Sequence, residues 1–326
     1  MAAYVEDARF VTSQIVLLVI KYKFIKKGAH FMKKLLSFLM ILAITFTCIS
    51  CSSKTTAASS GTGSNPENAV GGEAAALSQE ENLESIELIV FAAASMTETM
   101  TEIKKLYESK HSNIHITYNF DSSGTLVKQI IAGADCDIFI SAAQKQMNQI
   151  DITKDEEVNK DRNDFVLEGT RINLLENKVA LAVPDGNPKK IESFKDLTSD
   201  KLSLLAIGNS DVPVGAYTLE ILEYLKKPVI EFEKEKKVTY GSNVKEVTTQ
   251  VKEGTVDAGI IYATDAASAN LKVVDLATKD MCRQVIYPAA VLKETKNEKA
   301  AREFLNYLQT KEAMDVFQSV GFAKAS

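Results

Sequence analysis

Histidine and cysteine are scarce in this chain, and the scarcity narrows its chemistry. After the first fifty residues only Cys51, Cys136, Cys282, His111 and His115 remain, and none has companions at metal-ligand spacing. No direct metal ligands and no cofactor are therefore expected, and Cys136 and Cys282 read as buried free thiols in preference to a disulfide. The serines lack an evident histidine base, so nucleophilic catalysis is disfavoured and no enzyme is expected. Positive charge is short as well. Residues 1–50 hold seven basic residues (Arg9, Lys21, Lys23, Lys26, Lys27, Lys33, Lys34) and two acidic ones (Glu6, Asp7), which leaves 31 basic against 41 acidic residues and a formal charge of −10. Without a basic field the chain is a poor match for nucleic acid or an anionic membrane surface. Any anion it binds must be held by local geometry.

The apolar run from Leu35 to Ile49 is long for a strand and short for a spanning helix. Preceded by Met32-Lys33-Lys34, it reads as a secretory signal over residues 32–50. Its end, Cys48-Ile49-Ser50-Cys51, resembles a bacterial lipoprotein processing site, with Cys51 as the lipidated residue; a plain secretory signal is the alternative. Residues 51–82 then form the lipidated cysteine and a flexible tether, because Ser52 to about Glu80 is rich in Ser, Gly, Ala, Thr and Glu without hydrophobic periodicity. Residues 1–31 make a poor signal region. They read as an extension upstream of a true start at Met32, since Lys27-Gly28-Ala29 can be encoded by a ribosome-binding sequence; an uncleaved anchor helix is the alternative.

The body has the rhythm of an open α/β sheet. Ile86 to Phe91 is a nearly continuous apolar strand, followed by Met96, Met100, Ile103 and Tyr107 at helical spacing. Ile114 to Phe120 and Thr125 to Ala132 repeat the unit, and Ile138-Phe139-Ile140 begins a third. Asp151 to Asn163 is charged and weakly periodic, a surface excursion. Asn177 to Val183 resumes a strand, ended by the dense turn Pro184-Asp185-Gly186-Asn187-Pro188. Further strands are expected near Ile207, Val238 to Tyr240, Gly254 to Tyr262, Val273 to Leu276 and Arg283 to Val291, with amphipathic helices from Asn297 to Phe317.

Two junctions stand out. Phe91-Ala92-Ala93-Ala94-Ser95 and Asp121-Ser122-Ser123-Gly124 each end a strand and open a helix with a serine. A helix start offers unpaired N–H groups and the positive end of a dipole, so such a serine can hold an anion between hydroxyl and amide. Taken singly, either serine is more simply a helix cap, and Tyr262 more simply a core aromatic.

Six stretches in order carry a family resemblance: Val90 to Ser95, Phe120 to Leu126, Asp137 to Ala142, Val212 to Gly215, Ile260 to Ala266, and Tyr287 to Val291. Together, over about Ile86 to Phe322, they resemble the molybdate-binding protein of ABC-type importers. The resemblance implies an α/β fold of the type II periplasmic binding class: two lobes with mainly parallel sheets joined by a two-crossing hinge. Lobe one is then 83–175 plus 265–326, and lobe two 176–264. It also implies a monomeric receptor on the outer side of the membrane, anchored through Cys51. That receptor would deliver molybdate or tungstate to a permease. The oxyanion would be held by the hydroxyls of Ser95 and Ser123, the amides of Val214 and Val244, and Tyr262. A fully deprotonated oxyanion presents only acceptors and needs only donors. Sulfate or phosphate is the nearest alternative ligand. Asp121 would favour phosphate if it faced the anion; it is expected to satisfy a neighbouring N–H instead. Ser122 reads as a neighbour of the ligand, and Ser141 as a strand-end cap.

Overall fold

Strand β1 (Ile86–Ala93) lies between β2 (Ile114–Asp121) and β3 (Ile138–Ile140) and runs parallel to both. Its apolar residues are continuous because both faces are covered. Val90 and Ala92 enter one core cluster, while Phe91 enters another with Leu126, Ile130 and Phe139. After a 3-10 turn at Ala94–Met96, helix α1 (Thr97–Lys110) packs Met100, Ile103 and Tyr107 inward. Helix α2 (Ser123–Ile131) follows β2, and α3 (Gln144–Asn148) follows β3. The computed structural model describes residues 84–325, and the signal, lipidation and tether expectations for residues 1–82 lie outside them.

The run from Asn177 to Val183 is two strands in two sheets. β4 (Ile172–Asn177) pairs with β10 (Val285–Val291) in the first sheet, ordered β11-β4-β10-β3-β1-β2, where β11 is Ala323–Lys324. One residue later β5 (Val179–Val183) enters a second sheet, ordered β7-β6-β8-β5-β9, with β6 Leu205–Gly208, β7 Val238–Gly241, β8 Ala258–Tyr262 and β9 Lys272–Leu276. Because β9 pairs with β5, the second sheet keeps the chain to Leu276, and the return crossing precedes Val285. The boundary expected at residues 264 and 265 therefore moves to between Leu276 and Val285. The sheets are also mixed, not mainly parallel. The strands that carry the chain between them, β4, β5 and β10, pair antiparallel with their neighbours, as direct connections without a crossover helix permit.

Around the second sheet lie α4 (Pro213–Tyr224), α5 (Val229–Lys234), α6 (Val244–Lys252) and α7 (Ala263–Ala269); α8 (Glu298–Tyr307) and α9 (Lys311–Ser319) return to the first. The sequence gives no warning of α5, which buries only Phe232 and is too short to show a period. Among the described residues no helix is long and apolar enough to cross a membrane. Cys136 and Cys282 are free, the first buried and the second half-buried.

The segment from Asp151 to Asn163 is a staple more than an excursion. The Asn159 side-chain amide donates to the carbonyls of Asp151 (3.1 Å) and Asn163 (2.7 Å), and the Asp151 carboxylate accepts from Thr153 and meets Arg171 at 2.5 Å. Asp151 is buried, which opposes ionisation, yet the bonds from Thr153 and Arg171 hold its carboxyl below its usual value. Asp151→Ala leaves a mostly buried guanidinium without its counter-charge, held only by the Gln144 and Asn148 side-chain oxygens, so the expected loss is about 3 kcal/mol in denaturant unfolding at neutral pH. A depressed folded-state value means this stability exists above the unfolded carboxylate's pKa and fades as pH falls, so parent and variant should converge in acid.

Candidate functional site

Ser95 sits in the 3-10 turn that ends β1, 5 % exposed, with its Oγ 2.9 Å from the hydroxyl of Tyr287 on β10. The Asn177 side-chain amide donates to the same Tyr287 hydroxyl (3.2 Å) and to Thr264 Oγ1 (2.9 Å), while its carbonyl oxygen accepts from the Lys178 amide (2.8 Å). That last bond fixes which way the Asn177 amide faces. Either hydroxyl can donate in the Ser95–Tyr287 pair; with Tyr287 accepting from Asn177 and its own proton available to Ser95, the Ser95 hydrogen can turn into the site.

Ser123 is fully buried at the first position of α2, and its Oγ accepts from the Ala142 amide (2.9 Å). Its hydroxyl proton is therefore also uncommitted. The other side of Ala142 meets Tyr262: the phenol hydroxyl stands 3.5 Å from the Ala142 carbonyl, a long and weak bond. Tyr262 ends β8 and its ring packs edge-on against Tyr217 and Tyr287. Burial, reinforced by the neighbouring hydroxyls and Asp265, pushes its pKa far above the usual tyrosine value, so it remains a donor.

The remaining positions are helix starts. Val214 follows Pro213 at the start of α4, and Val244 opens α6; first-turn amides have no intrahelical partner. At α6 the Asn243 side chain serves the Glu246 amide, leaving that of Val244 to others. Gly215 lets α4 begin tight against β6, because a β-carbon there would sit 2.9 Å from the Gly208 carbonyl carbon. Across the cleft the Gly124 amide donates to the Asp211 carbonyl (3.0 Å), and α6 packs on the turn that holds Ser95. Ser123 and Tyr262 thus meet through Ala142, Ser95 and Tyr262 through Tyr287, α6 with Val244 packs on the Ser95 turn, and α4 with Val214 reaches Tyr262 through Tyr217; all five positions are 5 % exposed or less.

Comparison with known proteins agrees with this architecture. The profile of the bacterial extracellular solute-binding protein family matches residues 88–323. The chain belongs to that family. A Bacillus subtilis (strain 168) member, YvgL, named provisionally as an ABC transporter substrate-binding lipoprotein, is 37% identical over 251 residues, 75% of this chain and 89% of that one. The Escherichia coli (strain K12) molybdate-binding protein ModA is 32% identical over 246 residues, 72% of this chain and 88% of its own. Among solved structures, one described provisionally as the substrate-binding domain of a molybdenum ABC transporter from Clostridium difficile has a TM-score of 0.55 and 33% identity, covering 74% of this chain and all of that one (100%).

Other residues of this solute-binding protein fall as their local chemistry dictates. Asp121 turns to its own backbone, accepting from the Ser122 amide (2.7 Å). Ser122 caps α2 by accepting from the Thr125 amide (3.2 Å), and Ser141 binds the backbone of Ala143. His111 stacks on Tyr107, away from the cleft, and His115 is exposed. Tyr287 and Asn177 went unrecognised in the sequence, although Tyr287 opens one of the six matching stretches. Its hydroxyl in an otherwise apolar strand was the available signal.

Proposed function

We propose that this solute-binding protein captures molybdate or tungstate and delivers it to an ABC transporter permease from a lipid anchor on Cys51. The reading needs neither cofactor nor catalysis, and a monomer suffices. Relatives named for molybdate support the ligand, and YvgL's lipoprotein name supports the anchor. The observation that carries the reading is the donor set: the Ser95 and Ser123 hydroxyls each meet a partner that can donate to their oxygen, so their hydrogens can turn to a ligand, beside a protonated Tyr262 and two helix-start amides. Such a set offers donors only, which matches a fully deprotonated tetrahedral dianion. Monohydrogen phosphate carries a donor of its own, and Asp121 spends its carboxylate on the Ser122 amide.

Selectivity then rests on cavity size, since molybdate and tungstate are alike and larger than sulfate. Calorimetric titration with molybdate, tungstate, sulfate and phosphate tests this. Saturable one-to-one heats for the first two, with little for the others, are expected; heat from sulfate or phosphate alone would overturn the assignment.

A further inference from the structure

A lysine in the first turn of a helix opposes the helix dipole, and Lys245 occupies that place in α6, one residue beyond the Val244 amide. Its partners account for it. The Lys245 Nζ lies 3.0 Å from Asp265 Oδ1 and 2.7 and 2.9 Å from the two carboxylate oxygens of Glu98. Asp265 is wholly buried in α7, and among the described residues neither of its carboxylate oxygens has a hydrogen-bond partner of good geometry. The Lys245 ammonium is thus its counter-charge, and the pair anchors the lysine stem on the second lobe. Glu98 belongs to the other lobe, in the first turn of α1, three residues past Ser95. One cation therefore ties the turn bearing Ser95 to the helix start bearing the Val244 amide.

We infer that the Glu98–Lys245–Asp265 chain is the clasp of lobe closure, with Lys245 and Glu98 acting as positioning residues that hold the Val244 amide against the Ser95 turn. This rests on the oxyanion reading of those two positions. A second pair, Lys128 and Asp211 at 2.5 Å, also spans the lobes, but its lysine is 65% exposed and such pairs contribute little. Glu98 is itself 50% exposed, but the Lys245 side chain is 27% exposed and backed by a buried carboxylate, so the larger effect belongs there.

The sign of one substitution separates a clasp from simple electrostatics. Glu98 is a negative charge near a site for a dianion, so through-space repulsion predicts tighter binding in Glu98→Gln. A clasp predicts weaker binding. For the full chain, stopped-flow and calorimetry with molybdate should show Kd rising about threefold to tenfold, carried by faster dissociation with association unchanged. The parent's dissociation should quicken with salt, and the variant's should respond less. Unchanged or tighter binding by Glu98→Gln overturns the clasp. Should the parent bind none of the four oxyanions, the functional reading falls, and small-angle scattering decides the clasp separately. A larger radius of gyration for Glu98→Gln at low salt supports it, and superimposable curves overturn it.

Discussion

Gly124→Ala is expected to weaken oxyanion binding by about a hundredfold or more, while the melting temperature of the unliganded chain stays level or rises slightly. The glycine lies in the first turn of α2 without a positive φ, where alanine is the better helix former. Its role is proximity. A β-carbon there would lie 2.9 Å from Asp211 Cα and overlap the Asp211 carbonyl, which accepts the Gly124 amide across the cleft. Both obstacles are backbone, so no side-chain rotation relieves them. The available relief is to part the lobes, which separates the helix-start amides from the serines. A closed state disfavoured by about 2.7 kcal/mol lowers affinity a hundredfold. Titration of molybdate into parent and variant, alongside a thermal melt, tests this directly; equal affinities would mean that the lobes need not meet here for binding.

Ser123→Ala should produce a loss of similar size, about 3 kcal/mol, by a different route. The hydroxyl has two roles on the proposed reading: its oxygen accepts the buried Ala142 amide, and its hydrogen turns to the ligand. Alanine leaves the amide unpaired and one ligand oxygen without a donor. Ser122→Ala supplies the contrast. That serine caps α2 through the Thr125 amide, so its loss should lower stability by about 1 kcal/mol and leave affinity alone. Affinity and melting measured on both variants should separate the neighbours, and a Ser122→Ala effect on affinity equal to that of Ser123→Ala would reverse the assignment.

The sequence made β1, β2 and β3 legible because a sheet covered on both faces writes apolar strands into the chain, and the helical spacing after Met96 is equally plain. It concealed the crossing at Lys178, since β4 and β5 abut with a single residue between and the change of sheet leaves no mark on hydrophobicity. It concealed β9 as a partner of β5 for a related reason: pairing is a property of topology, and Val273 to Leu276 would read the same in either sheet. Ser95 and Ser123 were legible as hydroxyls at helix starts. The residues that orient and clasp them were not, because Tyr287 meets Ser95 from 192 positions away and Lys245 meets Glu98 from 147. Chain distance of that order is invisible to any local pattern.

The single-residue step at Lys178 bears on how the lobes travel. Between Asn177 and Val179 there is no slack, so this strand connection acts as a fulcrum and the longer return before Val285 follows it. The Asn177 amide, bonded to Tyr287 and Thr264, sits beside that fulcrum, where swing is least. The Tyr287 hydroxyl that meets Ser95 is thus held by a bond made close to the pivot. The Gly124 amide meets the Asp211 carbonyl away from this pivot, so on the proposed closure that bond is the one each round of binding makes and each release breaks.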